Sequence, residues 1–215
     1  MFIQPYRNRS GDEVATSQKR GALSHLLSQP TDQDERPCPD CNIPCNCIKR
    51  SRTCGCGCGP DCANIPAQLS SEPEEFPIES HVVPLVYGLT SLRVVETCWS
   101  CQGHETTDGK QIKIPQVWFS SPNATYPELI ARHLANLRSK KNLGYDWDVT
   151  INVYSPGGGA TTYIIKPDLT TVIDKPDLGR LQRDLHSIAH ALCFSIRCLA
   201  QDELRAINSQ PRKSA

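Results

Sequence analysis

Asp146-Trp147-Asp148-Val149-Thr150-Ile151-Asn152-Val153 alternates polar and apolar side chains without a break. A strand points successive side chains to opposite faces, so this pattern reads as a half-buried strand with Trp147, Val149, Ile151 and Val153 inward. Gly157-Gly158-Gly159 follows, then Thr161 to Lys166, a second strand. A phosphate cradle needs a helix N-terminus after its glycines, and here a strand follows, so the glycines read as a hairpin loop.

Upstream of this hairpin the period changes to that of a helix. Leu129, Ile130, His133, Leu134 and Leu137 share one face. Thr125 and Glu128 have the spacing of a capping box, and Pro127 stands in the first turn, where its missing N–H costs little. Lys140, Lys141, Asn142 and Gly144 form a basic exit and a glycine stop. His133 reads as packing at the edge of the core. Further upstream, residues 89–102 and 111–120 read as another hairpin about Asp108-Gly109. Pro115 has no N–H to give a ladder and pushes the second strand towards an edge or a bulge. Downstream, Leu178, Leu181, Leu185, Ile188, Leu192, Ile196 and Leu199 step by threes and fours, which predicts one long helix over about 177–205.

Residues 85–205 therefore read as a ββαββα domain of the α+β class. The expected form is a mainly antiparallel four-stranded sheet with two helices packed on one face. Two amphipathic helices and alternating strands supply a core, so this domain is expected to fold alone. Around it the chain divides into a disordered N-terminal segment 1–36, a cysteine-rich module 37–66, an acidic proline-bearing linker 67–84 and a disordered tail 206–215. The patch Ala22-Leu23-Ser24-His25-Leu26-Leu27 is long enough for a turn or two of helix, which is marginal in isolation.

Lysine plus arginine equals aspartate plus glutamate at 23 each, so bulk charge favours no partner class. No run approaches the roughly 20 apolar residues of a membrane span. The opening Met1-Phe2-Ile3-Gln4-Pro5 has no apolar secretory core, so an intracellular location, cytoplasmic or nuclear, is expected. There, 12 cysteines are expected to be reduced thiols or metal ligands more than disulfides.

Eight of them crowd one segment: Cys38, Cys41, Cys45, Cys47, Cys54, Cys56, Cys58 and Cys62. Almost nothing between them builds a core, so the segment folds only if something ties its sulfurs together. Thiolate is a strong ligand for zinc, and a structural zinc takes four ligands in a tetrahedron. These thiols divide into two all-cysteine sites or into a cluster with bridging sulfurs, and two or more zinc ions are expected. Iron–sulfur and copper are the alternatives, although the spacing matches none of the usual cluster-ligand runs. Gly55, Gly57 and Gly59 let the backbone wrap closely around the metal.

Cys45-x-Cys47, the basic gap Lys49-Arg50-Ser51-Arg52 and Cys56-x-Cys58-x3-Cys62-Ala63-Asn64 resemble the CXC (tesmin-like) and pre-SET cysteine clusters of chromatin proteins. That resemblance implies a thiolate-bridged zinc cluster. The stretch has one cysteine fewer than those clusters, lacks the second half of a tandem repeat and is followed by no SET domain.

A second donor set lies in the folded domain. Cys98, Cys101 and His104 offer three ligands in C-x2-C-x2-H spacing near a hairpin tip. The last helix is the expected source of a fourth, with His190 or Cys193 ahead of His186. Unligated thiols, and a redox or catalytic pair, are the alternatives for this set. There is no G-x-S-x-G, no deaminase motif and no pair of carboxylates on a common face, so the reading leans away from an enzyme.

The expected function is that of a non-enzymatic zinc-binding protein acting as a binding or regulatory module for protein or nucleic acid, without membrane contact. Arg36, Lys49, Arg50 and Arg52 are the expected phosphate contacts. The alternative is metal handling, as a zinc or copper sensor, store or chaperone. A metal-dependent enzyme or iron–sulfur protein comes after both.

Overall fold

The structure is a computed structural model, and it describes residues 9–30, 78–107, 112–153, 160–172, 174–190 and 192–209. The cysteine-rich module, with Cys38 to Cys62, and Arg36, Lys49, Arg50 and Arg52, lie outside the described residues, as does the glycine loop 157–159.

The chain forms helices α1 (Arg9–Ser28) and α2 (Val83–Ser91), then strands β1 (Glu96–Cys101), β2 (His104–Glu105), β3 (Ile112–Lys113) and β4 (Gln116–Ser121). Helix α3 (Thr125–Ser139), strands β5 (Asp146–Val153) and β6 (Thr161–Asp168), and helices α4 (Leu178–Ala189) and α5 (Leu192–Ser209) complete it. The class is α+β, and the main sheet is four-stranded and antiparallel throughout, in the order β1-β4-β6-β5. Strands β2 and β3 make a separate two-stranded ribbon.

Register sorts the sheet into two faces. Val117 pairs with Ile165 and Phe119 with Tyr163, and Val149 lies opposite Ile165. These side chains, with Trp147, belong to the core or pack against it, and Phe119 stacks on Tyr163. The helices fill the rest of that core through Leu85 and Leu89 of α2, Leu129 and Ile130 of α3, Leu181 and Leu185 of α4, and Leu192 and Ile196 of α5. Gly88 lets α2 approach α5 closely, since a Cβ there would stand 3.2 Å from Leu192 Cδ2.

Five helices, not two, pack on the sheet or on one another among the described residues. Helix α1 occupies part of the segment expected to be disordered. Leu23 and Leu26 are fully buried, and α1 lies along α5. Tertiary contacts provide the stability that so short an apolar patch lacks in isolation. Tyr126 Oη donates to Ala22 O at 3.2 Å, and Arg197 Nη2 donates to Gln29 O at 2.6 Å, satisfying a carbonyl beyond the helix end.

Helix α2 overlaps the expected linker and the expected first strand. Its buried run Val83 to Leu89 is apolar on every side, as a helix sunk in a core should be. Arg93, at φ 59, then turns the chain, and β1 starts only at Glu96. The second strand of the first hairpin breaks at Pro115 into β3 and β4, where the missing N–H interrupts the ladder.

The last helix is two helices. His190 adopts ψ 124, an extended conformation that ends α4, and α5 starts at Leu192. His133 of α3 is built into this break. Its Nε2 lies 2.9 Å from Ile188 O, which can only accept, so Nε2 carries the proton. Nδ1 then accepts from Ser195 Oγ at 2.9 Å, and one ring ties α3 to both sides of the break.

Two smaller differences are local. Thr125 is the first residue of α3 rather than its cap, and its N–H is taken by Asn123 Oδ1 at 3.0 Å. At the other end, Lys141 takes the left-handed conformation at φ 56. Asn142 N donates to Leu137 O and Lys141 N to Arg138 O, so the helix closes in a Schellman motif without glycine. At Gly144 the Arg180 side chain occupies the space that a Cβ would take.

Candidate metal centre

Glu79, Cys101 and His104 each present one donor atom, and the three atoms lie within 4.8 Å of one another. They form the one such group of three or more among the described residues. Cys101 ends β1, His104 starts β2, and Glu79 stands just before α2.

The turn between β1 and β2 is what folds Cys101 and His104 together. Gly103 makes it at φ 83, a conformation favourable only to glycine. A Cβ there would also stand 2.9 Å from Lys113 O and 2.8 Å from Leu178 Cδ1. Gln102 is clamped from three directions. Its N–H donates to Glu79 Oε2 at 2.7 Å, its side-chain oxygen accepts from His81 N at 3.0 Å, and its carbonyl accepts from Gln182 Nε2 at 3.3 Å.

These bonds orient the donors. With Oε2 held by the Gln102 amide, Glu79 Oε1 meets His104 Nε2 at 2.5 Å. Gly103 N donates to Cys101 Sγ at 3.4 Å and so fixes the position of the sulfur. The thiol is buried, while Glu79 is half-buried and His104 exposed, so the group opens to solvent on one side. One sulfur, one nitrogen and one oxygen suit zinc, which accepts all three, with a fourth position left for water or another ligand.

Cys98 does not join this group. It is three residues from Cys101 on an extended strand, a spacing that turns the two side chains to opposite faces. The register of β1 against β4 also slips between Thr97 and Trp99, with Cys98 at the bulge. The Cys98 thiol is exposed and donates to Glu96 O at 3.5 Å.

His190 and Cys193 are parted by the break between α4 and α5, so they do not share a helical stripe. Cys193 Sγ donates to Gly88 O at 3.2 Å, serving the packing of α2. His190 lines an open cleft of about 620 Å³ bounded by α3, α4 and α5, together with His133, Phe194 and Ser195. His186 lies beside the segment that carries Glu79: its ring meets His81 edge-on at 6.0 Å.

Glu79 is the donor that sequence reading missed. It stands in the acidic stretch Glu72-Pro73-Glu74-Glu75-Phe76-Pro77-Ile78-Glu79, where nothing singles it out from its neighbours. Only its bond to the Gln102 amide, across 23 residues of chain, places it beside Cys101.

No family model matches the chain, and no curated protein or solved structure is found to be similar to it.

Proposed function

We propose that this protein is a non-enzymatic, zinc-stabilised binding or regulatory module. The observation that carries the reading is the convergence of Glu79, Cys101 and His104, with Glu79 and Cys101 each held in place by a backbone amide. The ion would tie the entrance of α2 to the β1–β2 turn, in addition to the zinc that the eight thiols from Cys38 to Cys62 would hold. Such an ion serves structure first, because it joins segments far apart in sequence. The partner is a protein or a nucleic acid, and the protein works within the cell.

The test is metal analysis of the reduced full-length protein. Cys101→Ser and His104→Ala should each lower bound zinc by about one equivalent, because a tetrahedral site that loses a ligand binds far more weakly. Cys98→Ser should leave the zinc content unchanged. Equal zinc in Cys101→Ser and the parent protein would refute the site.

A further inference from the structure

Ser195 and His133 form a nucleophile–base pair that the metal centre does not use. Ser195 Oγ donates to His133 Nδ1 at 2.9 Å, and His133 Nε2 donates to Ile188 O at 2.9 Å. A hydroxyl bonded to a base, with the base oriented by a third group, is the arrangement that activates a serine. Closing the break between α4 and α5 asks only for the bond to Ile188 O, which replaces the helical N–H that Leu192 would have supplied. That bond also fixes the tautomer, so the Nδ1 lone pair faces the Ser195 hydroxyl.

The surroundings suit the pair to nucleophilic chemistry. His133 is 2 % exposed, and burial holds its pKa below the ordinary value, with the Ile188 carbonyl opposing this in part. The ring is therefore neutral at pH 7, with Nδ1 able to take a proton. Both residues line the open cleft bounded by α3, α4 and α5, which puts the hydroxyl within reach of a solute. Asn136, one turn beyond His133 on α3, lines the same cleft and brings a carboxamide donor. Leu137, Leu199 and Phe194, the last 73 % exposed, give it an apolar wall.

We infer that Ser195 is an acylation site, taking the acyl group of an activated ester whose short apolar chain lies against the wall of Leu137, Phe194 and Leu199. Oγ attacks the carbonyl carbon as its proton passes to His133 Nδ1. The imidazolium so formed keeps its Nε2–H bond to Ile188 O, and the Asn136 carboxamide donates to the developing oxyanion. The bond from the carbonyl carbon to the leaving oxygen then breaks, and the leaving group takes the proton from Nδ1. The products are an ester on Ser195 and a free alcohol, and no oxidant or other reagent is consumed. One acylation per chain needs no turnover, so this modification goes beyond the binding module proposed above without making it a catalyst. It rests neither on the metal centre nor on the module's partner.

The experiment is incubation of the reduced full-length protein with p-nitrophenyl acetate, followed by peptide mapping of the acetyl group over time. Thiols and lysines also react with this ester, so the acetyl found on Ser195, not the total release of p-nitrophenolate, is the readout. Ser195 should be acetylated far faster than the other exposed serines. His133→Gln separates chemistry from structure: its carboxamide can still donate to Ile188 O and accept from Ser195, but it cannot take the proton. It should slow acetylation of Ser195 about a hundredfold or more, the scale of general-base catalysis, with an unchanged melting temperature showing that the break is intact. Asn136→Ala, at an exposed position that the fold does not depend on, should slow the reaction about tenfold or more and tests the site even where His133→Gln fails to fold. Cys101→Ser should lose zinc and keep acetylation of Ser195, so the two proposals fail separately. Acetylation of Ser195 no faster than that of other exposed serines, or an equal rate in a folded His133→Gln or in Asn136→Ala, would overturn the inference and leave the zinc reading standing.

Discussion

Asp184 is the residue on which the junction between α4 and β5 depends, and its replacement has a calculable cost. The carboxylate is 4 % exposed. It accepts from Gly144 N at 2.8 Å and Tyr145 N at 3.0 Å, and from Trp147 Nε1 at 3.0 Å. Asp184→Ala leaves three donors without an acceptor. A buried donor left unsatisfied costs about 1–3 kcal/mol. The Trp147 indole is in the core and bears the full cost, while Gly144 and Tyr145 are half-buried and recover part of theirs from water. The sum is about 3–5 kcal/mol, a large part of the 5–15 kcal/mol that a domain possesses. Asp184→Asn keeps one acceptor oxygen but turns donor hydrogens towards donors, so it should fall between Ala and the parent. Urea denaturation followed by far-UV circular dichroism measures this, with an unchanged slope showing that the unfolded state is the same. The near-UV signal of Trp147 should weaken in the folded Ala variant. A loss below about 1 kcal/mol for Asp184→Ala would refute the reasoning, since one unsatisfied buried donor alone costs that much.

Burial holds the His133 imidazole below its ordinary pKa, with the Ile188 carbonyl opposing this in part. The unfolded chain therefore takes up the proton first as pH falls, so the stabilising contribution is complete above about 6.5 and declines below it. Melting temperatures from pH 7.5 to 5 should show this decline, and it should be smaller in His133→Gln. A fragment of residues 85–205 should be soluble at best as a loosely packed chain without dispersed amide resonances, because it lacks Leu23 and Leu26 of α1 and Val82 and Val83 at the start of α2, all buried. A dispersed spectrum from that fragment would show that the core closes without them.

The sheet was legible because its signals are local. Alternation in residues 146–153 and the proline at 115 each depend on neighbours in the chain, and β5 and the break between β3 and β4 appear where those signals put them, although β4 lies inside the sheet and not at its edge. Even so, alternation does not say how far the cover extends. Trp147 is buried, but Ile151 of the same face is 63 % exposed on β5, an edge strand, and a register shift after Ile151 sets Val153, 58 % exposed, opposite Thr162 on the other face. Helix α1 was illegible for the opposite reason. Its apolar residues occupy only its last turns, and the contacts that fix it come from α3 and α5, more than 100 residues away.

The break at His190 shows how a periodic sequence conceals a structural irregularity. Leucines and isoleucines at threes and fours run through the break, since both helices bury the same side of the chain. What stops α4 is the partner offered to Ile188 O: a buried imidazole from α3 replaces the helical bond that continuation would have made. The same principle governs the candidate metal centre. C-x2-C-x2-H spacing predicts one site on the assumption of a tight knuckle, in which residues three apart converge. On a strand they diverge, so Cys98 leaves the set, and the turn at Gly103 keeps Cys101 and His104 together. A third donor then has to come from whatever the fold brings alongside that turn. It comes from Glu79, because the amide N–H of Gln102 donates to the carboxylate that the entrance to α2 places beside it. The ligand types were therefore readable from the sequence, whereas the choice among them was made by backbone conformation at two residues, the bulge at Cys98 and the left-handed turn at Gly103.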